Sequence, residues 1–273
     1  MAKAKPKNAK KKKPAWRGMV PGGKVLPSMT LDELRNVKHA HAFLTEAFPG
    51  PPIIGYTVRS FRFCQLFATA CVVENKFPPL TRCWKELDRL FTRDAAFRDG
   101  MFVPSWIMFD FPCESNGRTL LDCFEDFLDE NGREHFAVFL SAIRPTRLGL
   151  YQEILRTAKV VKYRELFTER VTEVVPSIEG GSPGEIVLGR VVELDGQAYF
   201  WGDVKAFPAE KRADIEDMVA GKLFYFEGEA PTMGGLYEAF MKLAGPYWMS
   251  IVASNDRLPI LDPDHYQTYL TSV

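Results

Sequence analysis

Histidine is scarce in this chain, and its cysteines are few and irregularly spaced. The 273 residues hold four histidines and five cysteines. Cys64, Cys71, Cys83, Cys113 and Cys123 form no C-x-x-C pair, the spacing expected of a zinc ribbon or a thioredoxin-like site. Their odd number argues against a disulfide framework, so buried thiols in a reducing compartment are the expectation. His39 and His41 are two positions apart and would point about 200° apart on a helix, so they cannot share a metal. His135 reads as part of a solvated helix face. No metal and no cofactor is expected.

Long apolar runs are also missing. Nothing approaches the roughly 20 residues that span a bilayer, and no apolar stretch of about 7–15 residues comes after the basic start as in a signal peptide. The expectation is a cytosolic protein that makes no membrane contact. Phosphate-loop, dinucleotide-binding and H-E-x-x-H patterns are absent. The Gly-rich "EGGSPGE" carries an acid at each end, which makes it a poor phosphate cradle.

Acidic residues are absent from one place in particular. Residues 1–20 contain Lys3, Lys5, Lys7, Lys10, Lys11, Lys12, Lys13 and Arg17, and no Asp or Glu. The whole chain balances 35 basic against 35 acidic groups, so the first twenty residues carry +8 and the remainder −8. A segment of Lys, Ala, Pro and Gly cannot bury enough apolar area to offset its ordering entropy, and residues 1–24 are expected to be a disordered arm. Its charge suits the phosphate backbone of RNA or DNA, through counterion release and without sequence readout. A solubilising tail is the alternative.

Apolar residues make up 46% of the chain, enough for a sizeable core beyond the arm. Helical signals fill residues 25–147. Thr30 and Glu33 have capping-box spacing before a stripe of Leu34, Val37, Phe43, Leu44 and Phe48, which "GPPIIG" should break. "VRSFRFCQLFATACVV" and "LTRCWKELDRLFTRDAAF" read as further helices. Thr119 and Asp122 cap "TLLDCFEDFLDEN", and "NGREHFAVFLSAI" continues until Pro145. From Leu148 the pattern becomes β-branched and aromatic over "LYQEILRTAK", "VVKYRELFTERVTEVV", "EIVLGRVVEL" and "QAYFWGDVKAF". Asp195-Gly196 suits a type I′ hairpin turn. "PAEKRADIEDMVAG" should form a helix opened by Pro208 and closed by Gly221, with "LYEAFMKLA" as another. The expected class is α+β. An N-terminal helical region precedes a small, strongly twisted antiparallel sheet or partial barrel with flanking helices, and residues 148–273 form the β-rich region.

"FVPSWIMFDFP", "GRTLLDCFEDFL", "RPTRLGLYQEI" and "GEIVLGRVVELDGQAYFWGDVKAFPAEKRADIEDMV" together resemble the body of bacterial SEC-C motif-containing proteins, over roughly residues 102–219. The C-terminal Cys/His zinc module that names that family has no counterpart here, because the last cysteine is Cys123. The resemblance implies no activity.

Few residues invite a chemical reading. Asp110 stands alone among Trp106, Ile107, Met108, Phe109 and Phe111. It is either a poised acid or a carboxylate that closes the turn after it or pairs with Arg118. "DPDHY" gathers Asp262, Asp264 and His265 near the end, as a conceivable metal site or a capped turn. These features favour an interaction protein touching nucleic acid or a ribonucleoprotein through its arm. The alternative is an enzyme of unrecognised type, with Asp110, Arg118 or Asp262–His265 in a cleft.

Overall fold

The computed structural model describes residues 29–36, 52–81, 102–128, 130–176, 181–223, 237 and 241. Helices precede a ring of strands. Helix α1 (Leu31–Leu34) opens on the expected capping box, with Thr30 and Glu33 each accepting from the other's backbone N–H at 3.2 and 2.7 Å. Helix α2 (Pro52–Val73) is central, and Phe61, Phe63, Cys64, Leu66, Phe67, Ala70 and Cys71 along it are all buried. It begins inside "GPPIIG", the stretch expected to end the preceding helix. Pro52 sits at the first helical position, where its missing N–H would have had no helical partner. No helix among the described residues is long and apolar enough to cross a membrane.

Helix α3 (Phe102–Phe109) comes next. A turn then leads to α4 (Leu120–Phe127), and α5 (Glu130–Ile143) comes after it. Thr119 and Asp122 form the predicted capping box of α4. Its end departs from expectation: the chain turns extended at the buried Leu128 (φ −72°, ψ 133°), and Asn131-Gly132 lie inside α5. Among the described strands, β1 (Leu148–Arg156), β2 (Val161–Glu165), β3 (Val171–Val174), β4 (Ile186–Leu194) and β5 (Gln197–Phe207) close on themselves in the order β1-β2-β3-β5-β4. All pairings are antiparallel except the β3–β5 junction, a single parallel pair between Val174 and Ala198. Asp195 (φ 52°) and Gly196 (φ 70°) make the two-residue turn between Leu194 and Gln197, both left-handed as type I′ demands. A 3-10 turn (Ala209–Lys211) leads into α6 (Arg212–Leu223), which runs through Gly221 rather than ending before it. The architecture is α+β.

Strand alternation sorts the core into two parts. Tyr151, Val161, Tyr163, Val174 and Val187 cluster inside the ring with Phe200 and Val204 packed against them. Leu148, Leu150, Leu188, Val192, Leu194 and Trp201 face the other way and join one continuous core with the helices. Trp201 meets Phe61 edge-on at 5.5 Å and lies 6.5 Å from Phe139, so α2 and α5 both cover this face. The helices expected at 37–48 and 82–97 lie outside the described residues, as do the arm and the C-terminal tail; Tyr237 and Met241 of "LYEAFMKLA" are helical and buried.

Candidate functional site

The lone charge in the apolar stretch finds its partner on the sheet. Asp110 comes directly after α3, and its N–H donates to Trp106 O at 2.9 Å. A carboxylate at a helix C-terminus meets the negative end of the peptide dipoles, so it needs a cation close by. Arg190 supplies it from the middle of β4. Arg190 Nη2 donates to Asp110 Oδ2, and both side chains are only 1% exposed. Arg190 Nη1 also donates to Thr146 Oγ1 at 3.1 Å, and the Thr146 hydroxyl donates onward to Ile143 O at 2.6 Å. The guanidinium carbon lies 5.1 Å from the centroid of the Phe109 ring, within cation–π range. One network therefore ties the ends of α3 and α5 to β4.

Two further buried carboxylates are held by guanidinium groups. Glu165 accepts from Arg147 Nη1 at 2.5 Å and from Thr168 Oγ1 at 2.7 Å, with both charged side chains largely buried. Burial pulls the Arg147 basicity down, but the Glu165 carboxylate outweighs it and leaves it raised. Arg147 also stacks over Tyr237 at 5.2 Å, and the Tyr237 hydroxyl accepts from Leu150 N at 2.8 Å. Glu153 takes a two-pronged contact from Arg156, at 2.8 and 2.5 Å. Burial, then the nearby Glu153 charge, push the Tyr163 hydroxyl up to about 12. Burial and Glu165 likewise raise Tyr151. Guanidinium–carboxylate pairs of this kind commit each carboxylate to the fold.

The sequence-predicted residues are scattered. Asp110 and Arg118 do not pair: Arg118 instead contacts Glu114 at 3.4 Å, Asp126, and the Asp122 carbonyl at 3.2 Å, on a partly exposed surface. The turn assigned to Asp110 is organised by other groups. Pro112 bridges Thr119, Cys113 N donates to Arg118 O at 2.8 Å, and Asn116 Oδ1 accepts from Arg118 N at 3.0 Å. His135 is exposed on α5. Lys3, Lys5, Lys7, Lys10, Lys11, Lys12, Lys13, Arg17, His39, His41 and the Asp262–His265 cluster lie outside the described residues. Among the described residues no group of three or more His, Cys, Asp or Glu side chains is placed to hold a metal ion.

Arg190 is the residue that sequence reasoning missed. Its signal is the mirror of Asp110: one cation inside "EIVLGRVVEL", one anion inside "SWIMFDF". Two lone opposite charges in two apolar runs are candidates to neutralise each other, since an isolated buried charge is not tolerated. Glu153 and Glu165 carry weaker signals, because both sit in strands that also contain exposed charges. Compared with protein-family models, curated proteins and solved structures, the chain shows no significant match.

Proposed function

We propose that this protein is a non-enzymatic interaction protein of the bacterial cytosol that grips a nucleic-acid backbone, bare or in a ribonucleoprotein, through residues 1–17. The observation that carries the reading is the charge split. Eight cations and no anion stand in the first twenty residues, against a net −8 over the rest. Such a segment releases condensed counterions from phosphate and needs no ordered site of its own. A negative body also repels the same polyanion, which confines contact to the arm and leaves the body to other partners.

The folded region supports this division of labour. Its buried ionic groups, Asp110 with Arg190, Glu165 with Arg147 and Glu153 with Arg156, are internal fasteners. On this reading residues 102–219 are a SEC-C-associated body without its zinc module, serving as scaffold. The strands close in the order β1-β2-β3-β5-β4, with a parallel β3–β5 junction. Strand order alone assigns no ligand. The β2 side chains Lys162 and Arg164 are each about two-fifths exposed but engaged by Glu173 and Glu169, so this face is a weaker polyanion contact than the arm.

The test compares the full chain with a variant lacking residues 1–15, by fluorescence anisotropy on labelled single-stranded RNA and duplex DNA over a salt series. The full chain should bind both, with the logarithm of affinity falling linearly in log salt by about 0.7–0.9 per phosphate neutralised. The truncated chain should bind more weakly, with a flatter slope and an unchanged melting temperature. Equal affinity and equal slope for the two proteins would remove the arm from the interface.

A further inference from the structure

Cys113 and Cys123 flank the exposed turn between α3 and α4, and their sulfur atoms lie 3.6 Å apart. A disulfide needs about 2.05 Å between sulfurs, so the gap to close is about 1.5 Å. We propose that Cys113 and Cys123 are a redox-active dithiol, a modification site that a hydroperoxide converts to an intrachain disulfide and a thiol reductant reopens. The dithiol acts independently of the arm and its ligand.

The surroundings divide the labour between the two sulfurs. Both cysteines are buried; Cys123, on α4, is 8% exposed and Cys113 1%. Cys113 is held by the turn itself: its N–H donates to Arg118 O at 2.8 Å, and its thiol lies 3.3 Å from the same oxygen. The hydrogen bond with Cys123, then burial, pushes the Cys113 thiol up, and the same bond pulls Cys123 down against its own burial and the Glu114 charge. Cys123, the less deeply buried of the two, is the sulfur that attacks, and Cys113 the one that resolves. Residues 115–117 of the intervening turn are exposed, and Gly117 takes a left-handed φ of 83°.

The chemistry balances in two steps. The Cys123 thiolate attacks the hydroperoxide; the S–O bond forms, the O–O bond breaks, and the alkoxide or hydroxide leaves with a proton, giving a sulfenic acid. The Cys113 sulfur then attacks that sulfur. The S–S bond forms, the S–O bond breaks, and hydroxide leaves as water with the Cys113 proton. Two thiols and one hydroperoxide become one disulfide, one alcohol or water, and one water. Cys64 and Cys71 do not pair with each other. They lie seven residues apart on α2, about 10.5 Å along its axis, and each is fully buried.

The experiment uses the full-length protein treated with hydrogen peroxide, alkylated under denaturing conditions and digested with trypsin. Cleavage after Arg118 separates the two cysteines into different peptides. The expected product is a linked Cys113–Cys123 peptide pair lighter by two hydrogen atoms, which dithiothreitol separates. In Cys113→Ser, Cys123 should instead accumulate as a sulfenic acid trapped by dimedone. Full alkylation of both thiols after peroxide would overturn the proposal. So would a pairing with any other cysteine, or a Cys123 sulfinic acid formed while Cys113 stays a free thiol. The parent protein alone decides these outcomes should the variant fail to fold.

Discussion

Asp110 and Arg190 stand 80 residues apart in the chain and meet as an ion pair with both side chains buried, one at the end of α3 and one in mid-β4. Desolvating two charges costs several kcal/mol each, and their attraction and hydrogen bonds offset that only while both are present. Removing one partner should therefore be severe. Asp110→Ala, Asp110→Asn and Arg190→Met are each expected to lose about 3–5 kcal/mol in denaturant melts. Asn is no rescue, because it leaves the Arg190 charge uncompensated. Arg190 Nε and Trp201 Nε1 are buried without a hydrogen-bond partner among the described residues, so the network is incompletely satisfied. An apolar pair, Asp110→Leu with Arg190→Met, should accordingly fall within about 1 kcal/mol of the parent or above it. A catalytic Asp110 predicts the opposite, a neutral or stabilising Asp110→Asn.

Stability on the acid side should depend on Asp122. Burial works to raise its carboxyl, but the Thr119 N–H and hydroxyl, then Arg144, outweigh that and hold it below the usual range. A carboxyl depressed in the folded state adds stability above its unfolded value, about 3.9, and that stability is lost as pH falls through the lower folded value. Urea midpoints of the parent should drop steeply below about pH 4. Asp122→Asn should flatten that limb and lower the plateau at neutral pH. Identical acid limbs in the two proteins would show that Asp122 contributes nothing to it.

The alkaline limb belongs to the buried tyrosines. Tyr163 is pushed up to about 12, and Tyr151 and Tyr237 are raised as well, by burial first and by a neighbouring carboxylate second. A raised phenol favours the neutral fold. Its stability is complete below the unfolded value of about 10 and is lost as pH rises through the folded one. Tyrosinate absorbance should therefore show a fraction that ionises only as far-UV dichroism is lost, above about pH 11. Tyr163→Phe should delay that loss. A single tyrosinate transition near pH 10 with the fold intact would contradict the buried placement.

Local chemistry is readable from the sequence, and its limit is instructive. Thr30 with Glu33, Thr119 with Asp122, and Asp195-Gly196 each act within four residues, so spacing alone reveals them. The strands are legible because side chains alternate between two buried faces. Helix α3 is harder: "FVPSWIMF" is apolar all round, so no polar face announces its period. The α4–α5 break is misplaced from sequence because Asn131-Gly132 is a strong local signal, yet burial of Leu128 sets the bend. The Arg190 partner and the Val174–Ala198 closure depend on contacts between distant segments, which no window of neighbouring residues encodes.

The ring interior makes a steric prediction of the same non-local kind. Gly149 of β1 and Gly189 of β4 are direct register partners, and both point inward. A Cβ at Gly189 would lie 2.8 Å from Phe200 Cδ1 and 3.0 Å from Val204 Cγ1; one at Gly149 would lie 2.6 Å from the Tyr151 ring. The glycines leave the space that these rings fill. Phe200 cannot easily move aside, because it is wedged edge-on against Tyr151 at 5.6 Å and Tyr163 at 5.1 Å. Gly189→Ala should therefore cost about 1–3 kcal/mol by overpacking. Phe200→Leu alone should also destabilise, by opening a void beside Tyr151 and Tyr163. Combined, the added methyl and the trimmed ring occupy one space, so the double variant should be more stable than the sum of the single losses by about 0.5–3 kcal/mol. Denaturant melts of the four proteins measure that coupling. Strict additivity would mean that Gly189 and Phe200 do not share the interior of the ring.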